Sequence, residues 1–392
     1  GKEMYDKKIG LIASFIMSFF WVLLFNTTRI HADALGLFFS LLGVYLFWKG
    51  YITKKSVNLT SFGFLFMALA FMIRVNTILA PLIIFLFLII TEKLNFIKDK
   101  SLWKSAIWFF IPLIPYFIYN YIKFGTILSF IRGYVDPKSL SNKFQAGFDW
   151  NILNFSYIYT HKLFFVLFLI GVLFVFFNIF LGFDLINKKN NSILKSDLFS
   201  VLSIAVVMSY FIFIERWGAE ERWLIFMAPF MFFIIGRGLT DIYSYIKIDK
   251  KIIFFIILII LFIGSYAQLK YADDLIKVKK DSYEPVKLAG LWIKQNSNEK
   301  DIILSNSVPQ NTYYSERETL GIPVEEEKIF NEYIKNIKPK YIVISIFEIH
   351  QQQVLENIDK IASHLDVVNA YFVDQERTKP VLVVYKFKDY EF

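Results

Sequence analysis

The stretch FNTTRIHADALGLFF, Phe25 to Phe39, places Arg29, His31 and Asp33 close together between two almost purely apolar runs. Asp33 leads directly into fifteen residues without a charge. A charge at the mouth of an apolar segment is expensive to desolvate unless it is partnered. Three more short connections have the same character. FMIRVNT supplies Arg74 and Asn76, IPLIPYFIYNYIKFG ends with Asn120 and Lys123, and IERWGAEERW carries Glu215, Glu220, Glu221 and Arg222. Of 43 basic residues only eight are arginine, and five of those (Arg29, Arg74, Arg132, Arg216, Arg222) fall in connections on this side, Arg132 in the long one at 124–160. Guanidinium is a rigid fork that pairs bidentately with phosphate and tolerates partial desolvation better than ammonium. As a group these arginines predict an anionic ligand at one membrane boundary. The plainer account is that lysine fills the other loops and leaves arginine elsewhere by default, and for Arg216 or Lys123 that they snorkel to the interface. It fits Arg74 less well, because the turn RVN separates two short spans and lies below the surface.

The elements that position these residues follow from the composition. The chain has 392 residues and is 56% hydrophobic, with 45 Phe, and its apolar residues come in blocks. A block of about 20 apolar residues is long enough to cross a bilayer. The chain therefore reads as an integral membrane protein. Nine spans are predicted, near 9–28, 32–48, 59–73, 77–91, 105–122, 162–184, 197–214, 223–243 and 252–268. The polar start GKEMYDKK, followed by a run too long for an h-region, does not read as a signal peptide. Cysteine is absent, which excludes disulfides, thiolate metal sites and thiol nucleophiles. The net charge of +9 does not point to nucleic acid, because the basic residues lie between apolar runs. The start and the loops at 49–55, 93–104, 187–195 and 247–251 hold sixteen lysines. By the positive-inside rule that side is cytoplasmic, so the arginine-bearing connections and everything after Tyr271 are outside.

From about residue 271 the composition becomes that of a soluble domain. The expected domains are thus 1–270 in the membrane and 271–392 as an extracytoplasmic α/β domain. EPVKLAGLWIKQN, EEEKIFNEYIKNIK and residues 348–364 have helical periodicity. DIILSN, KYIVISIF, DVVNAYFV and PVLVVYKF read as strands. Such alternation argues for a largely parallel sheet. No Gly-rich phosphate loop and no nucleophile elbow occurs in this part.

KEMYDKKIGLIASFIMSFFWVLLFNTTRIHADALGLFFSLLGVYLF resembles the third and fourth spans of GT-C glycosyltransferases, in the branch of protein O-mannosyltransferases and aminoarabinose transferases. There, a short outer loop with an aspartate opens a Leu/Phe-rich helix, as HADALGLFF does here. YNYIKFGTIL resembles that family's Asn-aromatic-x-x-Phe-Gly element, and EERWLIFMAP its Glu-Arg-aromatic-Leu element with a later proline. LAGLWIKQN, DIILSN, YYSERE and PKYIVIS resemble the outer α/β domain of archaeal and bacterial members. The likeness extends over essentially the whole chain and rests on the order of individually weak motifs.

The resemblance implies a polytopic GT-C-like fold and an inverting hexosyltransferase. It would take its sugar from a polyprenyl-phosphate carrier such as dolichyl phosphate and pass it to a protein or glycolipid acceptor in a cell membrane. Its partners would be lipid, that donor and the acceptor. Carried over by position, Asp33 is a second-tier acidic residue of the catalytic site, and Arg222, Arg74 and Arg29 bind the donor phosphate, with His31, Asn120 and Glu221 in support. Arg29 departs from the family pattern, its spacing to Asp33 being one residue short. The family's main acidic pair lies in a first outer loop, and this chain begins where relatives reach their third span. The resemblance therefore implies a fragment without that pair, or a degenerate relative, and a chain that binds donor poorly and is inactive. No cofactor is demanded. A divalent metal stays open, although His31, His161, His350 and His364 are scattered without ligand-type pairing.

Three rivals are distinguishable. A secondary transporter calls for inverted repeats and helices broken at mid-membrane. A non-catalytic scaffold has no use for polar clusters in four separate loops. An oligosaccharyltransferase-like enzyme calls for a Trp-Trp-Asp-Tyr-Gly-like motif, which is absent.

Overall fold

The structure is a computed structural model that describes residues 1–27, 31–127, 159–182, 191–211, 221–280, 283–348, 352–372 and 378–392. Its packing divides the chain into two compact units, Gly1–Asp273 and Asp274–Phe392.

In the first unit every predicted span is helical over most of its described residues, with breaks at 19–20, 111–112 and 225–227. The helices are α1 (Lys7–Ser18), α2 (Trp21–Thr27), α3 (Ala32–Phe47), α4 (Val57–Ile73), α5 (Leu79–Glu92), α6 (Lys100–Phe110), α7 (Leu113–Phe124), α8 (Lys162–Gly182), α9 (Ser192–Ser209), α10 (Ala228–Tyr245) and α11 (Lys250–Lys280). Among the described residues six helical stretches are long and apolar enough to cross a membrane, or seven if the bent pair α1 and α2 counts as one. Nine were expected. The difference lies in α4 and α10. With 17 residues, α4 is about 25 Å long against a hydrocarbon core of about 30 Å. In α10, Arg237 and Asp241 lower the apolarity, and most of its residues are buried against other helices rather than facing lipid.

The break between α1 and α2 is 49° and contains neither glycine nor proline. Its cause is a side chain inserted into the helix ladder. The Trp21 amide donates to Gln268 Oε1 at 3.0 Å, while Phe19 and Phe20 donate three residues back, to Ile16 and Met17. The Gln268 amide donates on to Thr160 O at 2.7 Å, and Trp21 Nε1 to Tyr159 O at 2.9 Å. Gln268 is fully buried, and this four-residue clamp ties α2 to α11 and to the start of α8.

Two glycines fix α3 against α4. A Cβ on Gly43 would stand 2.9 Å from Gly63 O, and one on Gly63 would stand 2.8 Å from Phe47 N. Only residues without a side chain let the backbones approach this closely. Continuing that antiparallel register brings Gly36 opposite Arg74 and Thr77.

The second unit holds α12 (Glu284–Asn296), β1 (Ile303–Ser305), α13 (Val308–Ser315), β2 (Thr319–Leu320), α14 (Glu327–Ile337), β3 (Tyr341–Ser345), α15 (Gln352–Lys360), β4 (Leu365–Phe372) and β5 (Pro380–Phe387). The sheet order is β2-β1-β3-β5-β4. The pairs β1–β2 and β1–β3 are parallel, whereas β3–β5 and β4–β5 are antiparallel. The sheet is mixed rather than largely parallel. The link from Phe372 to Pro380 is too short for a crossover, which takes about a dozen residues or more, so β4 and β5 fold back on each other. Two-residue β2 and helix α13 were not foreseen, and the helix expected over 348–364 is the shorter α15. Alternate strand residues serve opposite faces. Leu304 and Ile342 pack with Phe330, Ile334 and Val354, while Ile303, Tyr341 and Val343 pack with Val286, Ala289 and Ile293.

Candidate functional site

Three turns meet at the end of the first unit opposite the lysine-rich connections. One is the opening turn of α3, the second follows α4, and the third, Glu221–Leu224, precedes α10. Arg74 leaves α4 in extended conformation, which releases its side chain from the helix surface. Its Nη1 reaches Asp33 Oδ1 at 2.5 Å. Asp33 is in the first turn of α3, where negative charge is favoured by the helix dipole, and is only 1% exposed. Beneath the pair, Thr77 Oγ1 donates to Arg74 O at 2.9 Å. A Cβ on Gly36 would touch Arg74, Thr77 and the ring of Phe226, so α3 runs close to both the turn after α4 and the segment leading into α10.

His31 is the residue that precedes α3, and its side chain does not cap the helix. The ring instead faces Arg222, whose Nη1 lies 2.8 Å from Nδ1. His31 and Asp33 are two residues apart, so the guanidinium groups of Arg74 and Arg222 converge on one turn of chain. Glu221 stands beside Arg222, and its charge acts on Tyr159 and Tyr271.

The structure thus brings together four of the residues singled out in the sequence: Asp33, Arg74, His31 and Arg222. Asn120 is buried on α7 with its amide donating to Tyr116 O one turn back. Arg29, Arg132, Arg216, Glu215, Glu220 and His350 lie outside the described residues. Among the described residues no group of three or more His, Cys, Asp or Glu could hold a metal ion. The donor set at this turn does not fit one either, since Arg74 holds Asp33 and Arg222 faces His31, two cations where a metal would sit.

Two polar groups inside the unit escaped sequence reasoning. One is the Gln268 clamp. The other joins α8, α9 and α10 near the lysine-rich end. Asn178 Nδ2 donates to Asp197 Oδ2 at 2.6 Å, Arg237 Nη1 to Asp241 Oδ1 at 2.5 Å, and Tyr5 and Ser200 share a 3.0 Å hydrogen bond. Asp197 is fully buried. Its sequence signal is weak, because Lys195 stands two residues before it and the lysine-rich NKKNNS precedes the apolar run.

No family model matches the sequence, and no curated protein sequence does. Among solved structures the chain is similar to ArnT from Cupriavidus metallidurans bound to undecaprenyl phosphate. The identity is 11% and the TM-score 0.44, over 96% of this chain and 83% of that one. It is also similar to the apo state of that ArnT, at 11% identity and a TM-score of 0.41, over 96% and 82% of the two chains. Likeness of this degree carries no argument about chemistry. The functional reading rests on the residues of the chain itself.

Proposed function

We propose that this chain is a membrane glycosyltransferase that moves a hexose from a polyprenyl-phosphate donor to an acceptor hydroxyl on a protein or glycolipid. The reaction takes place on the face opposite the lysine-rich loops, which is the outer face. The observation that carries this reading is the convergence of Arg74 and Arg222 on the single turn that holds His31 and Asp33. A phosphate at a membrane boundary needs forked, partly desolvated cations, and these two supply them. The sequence likenesses in HADALGLFF and EERWLIFMAP point to the same chemistry.

In this reading Arg222 is the leading phosphate ligand, and His31 holds its guanidinium in place. Arg74 is the second ligand, and Arg29 joins them by its place in the sequence. Asp33 is buried and engaged with Arg74, so it acts through that arginine as a positioning residue rather than meeting the acceptor itself. Glu221, part-exposed beside Arg222, is the carboxylate with access to an incoming hydroxyl. In the transfer the bond from sugar C1 to the phosphate oxygen breaks, and a bond from C1 to the acceptor oxygen forms on the opposite face. The acceptor proton passes to Glu221. Polyprenyl phosphate leaves with its new charge held by the two guanidinium groups.

The test is titration of undecaprenyl phosphate against purified protein in detergent. Arg222→Lys should weaken binding measurably, because ammonium cannot copy the fork. Arg222→Ala should weaken it further, by roughly 1.5–3 kcal/mol for a lost charged hydrogen bond. Equal binding by all three proteins, with lower thermal stability in the variants, would make Arg222 a structural residue and remove the reading.

A further inference from the structure

At the other end of the first unit a cavity of 680 Å³ opens between α1, α10 and α11. Its walls are Leu11 and Phe15 on α1, Leu239 on α10, and Leu258 and Phe262 on α11. The volume falls in the range of about 300–1,000 Å³ typical of ligand pockets. Polarity is graded along it. Lys8 and Tyr243 stand at one end, and Lys8 Nζ lies 5.5 Å from the centre of the Tyr243 ring. Lys250 Nζ lies 5.1 Å from the same ring. Lys7, Lys247 and Lys251 flank these residues in sequence, so the open end sits in the lysine-rich boundary.

The depth is informative. On α1 the lining runs from Lys8 to Ser18, ten residues, which is about 15 Å at 1.5 Å per residue. That is half of a hydrocarbon core about 30 Å thick. The groove therefore spans one leaflet, from the lysine-rich boundary to the midplane. An apolar slot of that length with cations only at its mouth matches a lipid chain carrying an anionic headgroup. A membrane-spanning helix would not stop at the midplane, nor would it call for charge at one end only.

We propose that this groove is a binding site for one anionic phospholipid of the leaflet on the lysine-rich side. One acyl chain lies between α1, α10 and α11, and the phosphate sits against Lys8, beside Lys250, whose Nζ caps the carbonyls of Tyr243, Ser244 and Ile246. The site is at the opposite end of the α1–α2 run from His31 and Asp33 and is independent of the donor site.

The experiment is native mass spectrometry of the delipidated protein, titrated with phosphatidylglycerol or with phosphatidylcholine of the same acyl chains. One phosphatidylglycerol per protein should be retained at least tenfold more tightly than phosphatidylcholine. Lys8→Gln, an exposed change that leaves the helix packing alone, should erase most of that preference. Leu258→Trp should fill the slot and reduce both lipids to background, while undecaprenyl phosphate still binds at the other end. Equal retention of the two lipids by the unmodified protein would overturn the proposal. So would displacement of phosphatidylglycerol by undecaprenyl phosphate, which would assign the groove to the carrier. A Leu258→Trp protein that keeps unmodified phosphatidylglycerol binding would overturn it as well.

Discussion

Arg74 Nη1 lies 2.5 Å from Asp33 Oδ1, and the two residues sit opposite each other because Gly43 and Gly63 set the register of α3 against α4. A buried ion pair is held by geometry imposed from a contact ten or more residues away along each helix.

Removing either partner of that pair should cost more than removing both. Arg74→Met takes the ion-pair partner from a buried Asp33, a loss of roughly 3–5 kcal/mol, and Asp33→Leu, which leaves a part-exposed Arg74, should cost less. The double variant Asp33→Leu with Arg74→Met should recover most of that stability, because an apolar pair of similar volume needs no desolvation. It should not recover binding of undecaprenyl phosphate. Thermal unfolding in detergent, run beside the titration, separates the two roles. Additive stability losses in the double variant would show that the pair is not coupled.

The register itself can be disturbed without touching a charge. In Gly63→Ala the new methyl would stand 2.8 Å from Phe47 N and 2.9 Å from Gly43 O, both backbone atoms that cannot swing aside. The helices must separate, at a cost typical of overpacking, roughly 1–3 kcal/mol. Donor-phosphate affinity should fall with stability, since Asp33 and Arg74 move apart. Unchanged affinity in a less stable protein would uncouple the glycine contact from the site.

Gln268 holds the α1–α2 break through two hydrogen bonds, one to each side of its amide. Gln268→Leu leaves the Trp21 amide and the Thr160 carbonyl buried without those bonds, at roughly 1–3 kcal/mol for each group. Protonated, Gln268→Glu offers a carbonyl to Trp21 and an O–H to Thr160, so it should lose little at low pH; ionised, it has no donor for Thr160 and buries a charge, so its loss should grow as pH rises. The measurement is thermal stability of the three proteins, together with hydrogen exchange at Trp21. An exchange rate there that ignores the substitution would mean the break has another cause.

In the second unit, burial pushes the Glu348 carboxyl up from its ordinary 4.5 to about 7. Ser345 Oγ donates to its Oε2. Between those pH values the folded state binds a proton that the unfolded state has released. The contribution of Glu348 to stability is therefore greatest below about pH 4.5, falls as pH rises to about 7, and is constant above that. After allowance for partial solvent screening the swing is about 1–2 kcal/mol. Glu348→Gln should flatten this part of the profile and stabilise β3 at pH 8, read as slower hydrogen exchange over Tyr341–Ser345 after correction for intrinsic rates. A steeper profile in the variant would contradict the assignment.

The proposed topology can be tested on a chain that has no cysteine of its own. Asp249→Cys, on the lysine-rich side, should be protected from an impermeant thiol reagent in intact cells. Gln352→Cys, exposed in the second unit, should react. Asn311 is unsuitable as a reporter because it is fully buried. Equal labelling at both positions would overturn the topology.

The sequence by itself determined where the apolar helices, three helices of the second unit and most strands are. Apolar blocks must be helical in a membrane, where unpaired backbone groups find no water. Period and turn residues gave Glu284–Asn296 and Pro380–Phe387 to the residue. It also marked Asp33, Arg74, His31 and Arg222, because a charge beside an apolar run is conspicuous without any structure. Which of them touch, the tertiary structure decided. His31 and Arg222 are 191 residues apart, and their contact depends on α3 and the Glu221–Leu224 turn meeting at one end of the bundle. The same holds for the bend at Trp21, whose cause sits 247 residues away in Gln268. It holds for the mixed sheet too, where the short link before β5 overrides the alternation of helix and strand. Local pattern fixes what a segment becomes. Contacts between distant segments rest on shape and register, and a single glutamine or glycine sets those without altering the pattern around it.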